Sequence, residues 1–193
     1  MGLGIGSFIG ATYLITLPVK EVTEIPEELE PGHHYVLKGR TGGGDAWKLK
    51  AIDFQEGKEE VVFLETDLNP WASTFSTEYP DEKPTLYLEP QRPVFRLHED
   101  KVLASTQADG GFGSWTRIVT ISMEGTVAES DSTYEVQAEK LYVGSLRLPN
   151  LVKNLVWNRI AAGYKMDEEF QSLWSSIETA NVHESQLILT AKK

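Results

Sequence analysis

The side chains suited to acid–base, nucleophilic or metal chemistry are scattered along this 193-residue sequence. Its four histidines are His33, His34, His98 and His183. None stands in an H-E-x-x-H pair, the spacing that sets two imidazoles on one helix face over zinc. His33 and His34 are adjacent and would point to opposite faces of a strand. His98-Glu99-Asp100 groups three metal-capable side chains, but the stretch reads better as a hairpin turn. "GFGSW" around Ser114 is not the G-x-S-x-G elbow that exposes a nucleophile. "GRTGGGDAW" has no Lys-Ser/Thr after its glycines, so it is not a phosphate loop. "DFQEGKEE" lacks the ligand spacing of a calcium loop. Glu59–Glu60 and Glu168–Glu169 are neighbours in sequence and suit a solvated face and a helix start. With no cysteine, disulfides, thiol catalysis and cysteine-based metal sites are excluded. The residue types predict no catalytic site, no metal site and no cofactor, and the chain is read as a non-enzyme.

Aromatic and amide residues point instead to binding. Leu68, Asn69 and Trp71 fall together on a predicted helix, and Asn69 either fixes that helix to neighbouring backbone or orients a polar head group. Trp157 lies off the main apolar stripe of a second helix, beside Asn154 and Asn158. It is either an exposed contact or a buried tryptophan with its N–H bonded. A few placed polar groups in an apolar lining are the usual logic of a ligand pocket. The candidate binding residues are therefore Leu68, Asn69, Trp71 and Trp157. The net charge is −11 and no basic run is present. Nucleic acid is excluded as a partner, because binding it relies on Lys and Arg displacing counterions.

Gly2 to Val19 carries no charge, and Lys20 to Glu30 then holds six charged residues. The glycines of "GLGIGSFIG" give G-x-G-x-x-x-G, which has the wrong spacing for a dinucleotide loop. A cleaved signal peptide is the alternative, but it wants a basic start, and no Lys or Arg precedes residue 20, and "ITLPVKE" offers no convincing small-x-small site. Eighteen uncharged residues in a helix span about 27 Å, close to a bilayer's hydrocarbon thickness. Gly2, Gly6 and Gly10 share one face, the small-xxx-small pattern of packed membrane helices. Residues 1–19 are therefore expected to anchor the chain, 20–32 to connect, and 33–193 to form one domain.

The elements that would hold these residues read as α+β. "YVLK" and "AWKLKAIDF" read as strands, the second because Trp47, Leu49 and Ala51 alternate with lysines. "IPEELEPG" suits one helical turn. Asp67 to Phe75 reads as a helix capped by Thr66, and residues 76–90 as a surface loop. From Pro93 to Leu148 the pattern is an antiparallel meander, with turns at "HEDK", "ADGGFG" and "MEGT". Two amphipathic helices follow, over 150–163 and 167–178. Leu151, Val152, Leu155, Val156 and Ile160 form the stripe of the first, and Phe170, Leu173, Trp174 and Ile177 that of the second. "NVHESQLILTA" closes the chain as a strand. The expectation is an antiparallel β-meander sheet covered by C-terminal amphipathic helices and preceded by a transmembrane helix.

Two stretches, "FLETDLNPWASTF" and "AEKLYVGSLRLPNLVKNLVWNRIAAGY", resemble the YpmS-like proteins. These are single-pass anchored bacterial proteins with an extracytoplasmic domain and no established activity. The resemblance covers roughly Glu60 to Leu189. Pro70 after Leu68-Asn69 and the acidic connector depart from the family pattern. The resemblance implies the topology more than the chemistry, and it suggests a curved sheet packed on helices, as lipid-binding domains have. The expected function is a membrane-anchored extracytoplasmic module that binds a lipid, another apolar ligand or a protein partner at the membrane surface. The alternative is an accessory subunit that packs on an integral membrane protein through Gly2, Gly6 and Gly10.

Overall fold

The computed structural model describes residues 10–40, 44–77, 86–112, 115–130, 133–161, 163–165 and 173–192. It is an α+β arrangement built on antiparallel sheets. A long meander forms its backbone: β5 (Leu86–Pro90), β6 (Val94–His98), β7 (Lys101–Phe112), β8 (Trp115–Ser130), β9 (Thr133–Val143) and β10 (Leu146–Arg147). The order is β10-β9-β8-β7-β5, and β6 also pairs with β7. A second sheet has the order β12-β13-β3, from Ile177–His183, Gln186–Ala191 and Glu60–Phe63. Short pairs join β1 (Lys20–Val22) in parallel to β2 (Tyr35–Leu37), and β4 (Ser76–Thr77) to β11 (Tyr164–Lys165). The helices are α1 (10–16), α2 (Ala46–Gln55), α3 (Glu65–Ala72) and α4 (Asn150–Ala161), with a helical turn at 173–175.

Period-two alternation decides which side of the meander is dry. Val119, Ile121 and Met123 of β8, with Leu141 and Val143 of β9, are buried on the inner face. Lys101, Glu124 and Lys140 alternate with them and form an ion-pair cluster on the outer face. Two apolar clusters lie along the inner face. One gathers Phe63, Leu68, Trp71, Leu97 and Leu189, and the other Ile121, Met123, Leu141 and Ile160.

Several expectations are corrected. "AWKLKAIDF" is helix α2, not a strand. Trp47 and Phe54 are buried at i and i+7 with Ala51 packed between them, while Leu49 faces outward. The alternation over 47–51 was a short-window coincidence, since Trp47 and Ala51 share a helix face as well as a strand face. "IPEELEPG" forms bends and turns without helix. Part of the expected loop over 76–90 is strand β5, an edge partner of β7. "MEGT" is not a turn, because β8 runs through it with a bulge between Glu124 and Gly125. A Cβ on Gly125 would lie 2.3 Å from the Gln137 carbonyl, so glycine there permits the close approach of β9. "NVHESQLILTA" is a hairpin rather than one strand, turning at Glu184 and Ser185, which both have positive φ. Ile177 is the first residue of β12, and Phe170 lies outside the described residues.

The helix over 150–161 is present, but it is rolled relative to the expected stripe. Ile160 is 4% exposed, while Leu155 is 73% exposed and Leu151 95%. The inward face is Val156, Trp157 and Ile160, so Leu151, Val152 and Leu155 face out.

At the N-terminus, residues 10–16 are helical and their end docks on the domain. The Ser145 N–H donates to the Leu14 carbonyl at 2.9 Å, and Ile15 packs into the second cluster. Among the described residues no helix is long and apolar enough to cross a membrane. The start of the expected span, with Gly2 and Gly6, lies outside them. Gly10 faces open space.

Candidate functional site

A cavity of about 310 Å3 lies between the inner face of the meander, α3 and α4. Leu68 and Trp71 of α3, and Phe75 beyond it, form one wall. Trp157 and Ile160 of α4, with Tyr164, form another. Ala104, Thr106, Ile121, Met123 and Val136 form the floor. The cavity sits at the seam between the two apolar clusters and takes lining from both.

Local sequence explains why the seam stays open. The inward row of β7 is Val102, Ala104, Thr106 and Ala108, which face Gly125, Met123, Ile121 and Val119 of β8. Small side chains at 104, 106 and 108 leave room that leucines would fill. The bulge at Glu124/Gly125 bends the neighbouring strand at the same level.

The polar atoms of Trp157, Trp174, Tyr164 and Thr106 are bonded to backbone carbonyls. The Trp157 indole N–H donates to the Val136 carbonyl at 3.0 Å, and the Trp174 N–H to the Tyr134 carbonyl at 2.6 Å. Both carbonyls belong to β9, whose pairing with β10 involves only Tyr142 and Val143. The tryptophans therefore cap strand-edge groups while their rings face inward. The Tyr164 hydroxyl donates to the Gln91 carbonyl at 2.6 Å, and the Thr106 hydroxyl to the same oxygen at 2.7 Å. Burial raises the Tyr164 phenol above its ordinary range, against the opposing pull of the Thr106 hydroxyl. No Lys, Arg or His lines the cavity among the described residues. The exposed Asn158 and Ala161 of α4 and Glu135 of β9 stand at its rim. Such a site has the means to enclose an apolar body and leave a polar end in water.

Three of the four sequence candidates, Leu68, Trp71 and Trp157, meet in this cavity. Asn69 does not line it. It is 7% exposed and bonded on every side. Its amide donates to the Arg40 carbonyl at 2.7 Å and to the Phe95 carbonyl at 2.9 Å, and its oxygen accepts the Phe95 N–H at 2.6 Å. Four residues earlier, Glu65 accepts the Leu97 N–H and the Arg96 guanidinium, each at 3.0 Å. Four helical residues rise about 6 Å and two strand residues advance about 6.7 Å. Glu65 and Asn69 thus match the spacing of Leu97 and Phe95, and α3 satisfies the edge of β6 as a neighbouring strand would. Asp67 closes the same helix start by accepting the Leu64 N–H at 2.8 Å and pairing with Lys50. The helix begins at Glu65, so Pro70 stands inside it rather than in its first turn.

Sequence reading missed Ala104, Thr106, Tyr164 and the indole of Trp174 as parts of the site. The available signal was the small inward row of "VLASTQA". Sequence reading also missed a Ser–His contact on the outer face. The His34 Nε2 lies 2.7 Å from the Ser122 hydroxyl, and its ring stacks on Tyr142 at 3.7 Å. Burial, with a smaller push from Lys140 and an opposing pull from Glu124, lowers the His34 imidazole to about 4. That is well below the range near neutrality that suits a general base. His98-Glu99-Asp100 makes the β6–β7 turn, with Glu99 at φ 54°. Among the described residues no group of three or more acidic or histidine side chains is placed to hold a metal.

Comparison with known proteins finds no matching family model, no matching curated protein and no matching solved structure. The resemblance to YpmS-like proteins stands on its two sequence stretches alone.

Proposed function

We propose that this chain is a non-catalytic module that holds an apolar molecule, such as a lipid acyl chain, at a membrane surface. The observation that carries this reading is the cavity of about 310 Å3, apolar within, with the indole N–H groups of Trp157 and Trp174 bonded to carbonyls of β9. Its volume meets the lower end of ligand pockets, roughly 300–1,000 Å3. In this reading the uncharged residues ahead of Leu14, where the chain docks on the domain, attach it to the membrane. The folded domain lies outside the cytoplasm, a placement that rests on the family resemblance.

The test is ligand capture. The purified full chain is stripped of lipid and titrated with a long-chain alcohol while tryptophan emission is followed, since Trp71, Trp157 and Trp174 line the cavity. Saturable binding of one molecule per chain is expected. Ala104→Phe, which projects a ring into the cavity, should weaken binding at least tenfold without lowering the melting temperature. Absence of saturable binding by the unmodified chain would overturn the proposal.

A further inference from the structure

We infer that the outward face of α4 is a docking surface for an anionic lipid membrane. This rests on the membrane part of the proposed function and is independent of the cavity. Leu151 and Leu155 lie one turn apart on the outward face, and Val152 flanks them. Arg159 continues the same line one turn further on, and it too is exposed. Single exposed apolar side chains are ordinary, but an aligned set on one helix is a contact surface.

Charge selects the partner. The chain carries a net −11, yet α4 holds Lys153 and Arg159 with no acidic residue. The stretch from Leu141 to Met166 around it adds Arg147 and Lys165 and again no carboxylate, while Lys140 lies on the opposite, outer face of the meander. Lys140 is answered by Glu124, and Lys153 reaches the Glu139 carbonyl. Arg147 and Arg159 are exposed and meet no carboxylate among the described residues. An anionic surface repels most of this acidic molecule and attracts this face, which fixes the approach. Helices with apolar and basic residues together lie in the interface plane, with leucines at the acyl boundary and arginines among head groups. α2 provides the contrast. Leu49 and Ile52 are also exposed there, but the flanking Lys48 and Lys50 are paired with Asp45 and Asp67, and Asp53 and Glu56 stand beside them. The inward side of α4 supplies Trp157 and Ile160 to the cavity, and Asn158 and Ala161 to its rim.

The chain has no cysteine, so a single introduced thiol is a unique label site. The full chain carrying Leu151→Cys, labelled with an environment-sensitive fluorophore, is mixed with vesicles of phosphatidylcholine or of phosphatidylcholine with phosphatidylglycerol. A blue shift, and quenching by brominated acyl chains, is expected with the anionic vesicles alone. The same label at Leu49→Cys should stay in water. Arg159→Glu in the labelled chain should weaken the response about tenfold. A label at 151 that remains in water while the protein sediments with vesicles would overturn the inference. So would an equal response to both vesicle types, or a concentration-dependent shift without vesicles, which would mean a second copy covers the face. Alcohol binding with no response at 151 leaves the cavity reading intact, and a response at 151 without alcohol binding removes only the cavity.

Discussion

Helices α3 and α4 cover the same sheet in opposite ways. α3 has eight residues and buries six of them, three polar. Each of those polar side chains is committed to backbone or to a partner: Glu65 to Leu97 and Arg96, Asp67 to Leu64 and Lys50, Asn69 to Arg40 and Phe95. α4 is longer at twelve residues, and only Ile160 is buried. It rests on the sheet through Val156, Trp157 and Ile160 and turns its leucines to solvent. A helix that spends its polar groups on a strand edge is part of the frame. One that leaves its apolar groups uncovered is free to meet something else. The two helices face each other across the cavity, so one wall is fixed and the other is also a surface.

Breaking the fixed wall should give the largest effect. Glu65→Ala strands the Leu97 N–H and the Arg96 charge and should cost about 3–5 kcal/mol, read from denaturant unfolding. Asn69→Ala leaves the Phe95 and Arg40 groups unpaired and should cost about 1–3 kcal/mol. Losses under about 0.5 kcal/mol at both sites would show that α3 does not clamp β6. A smaller effect concerns the outer face. The His34 imidazole is held at about 4 against an ordinary 6.5, so the unfolded chain binds the extra proton more readily. Its stabilising contribution is complete above pH 6.5 and fades as the pH falls towards 4. With allowance for partial exposure, His34→Gln should flatten the stability profile over that window by about 1–2 kcal/mol. An unchanged slope would mean that His34 protonates freely when folded. The smallest effect belongs to α4. Leu155→Ala should change stability by less than about 0.5 kcal/mol, because the side chain packs against nothing that its loss would expose. A cost of 2 kcal/mol or more would place Leu155 in the core and remove the contrast between the helices.

The meander was legible because alternating side chains recur over long strands, and Val119, Ile121 and Met123 set that period without help. Leu68 and Trp71 were legible as inward residues of a helix, and so was Trp157 as an outlier from its stripe. α2 was not, because five residues from Trp47 to Ala51 satisfy two periods at once. The hairpin at Glu184–Ser185 was not, because its positive φ values are adopted without glycine or asparagine. The basic face of α4 was not either. Its Lys153 and Arg159 stand six positions apart, as do Arg147 before them and Lys165 after them, so no run appears.

By itself, the sequence determined the class of the fold, the acidity of the chain and the small inward row of β7, because each is a property of composition or local period. The tertiary structure decided the roll of α4, the pairing of Glu65 and Asn69 with the β6 edge, and the gap between the two clusters. Each of these depends on groups far apart in sequence meeting at fixed distances. A stripe of five apolar residues on a twelve-residue helix is wider than the contact available. The sequence offers the stripe, and the carbonyl of Val136, by holding the Trp157 indole, selects which part of it turns inward.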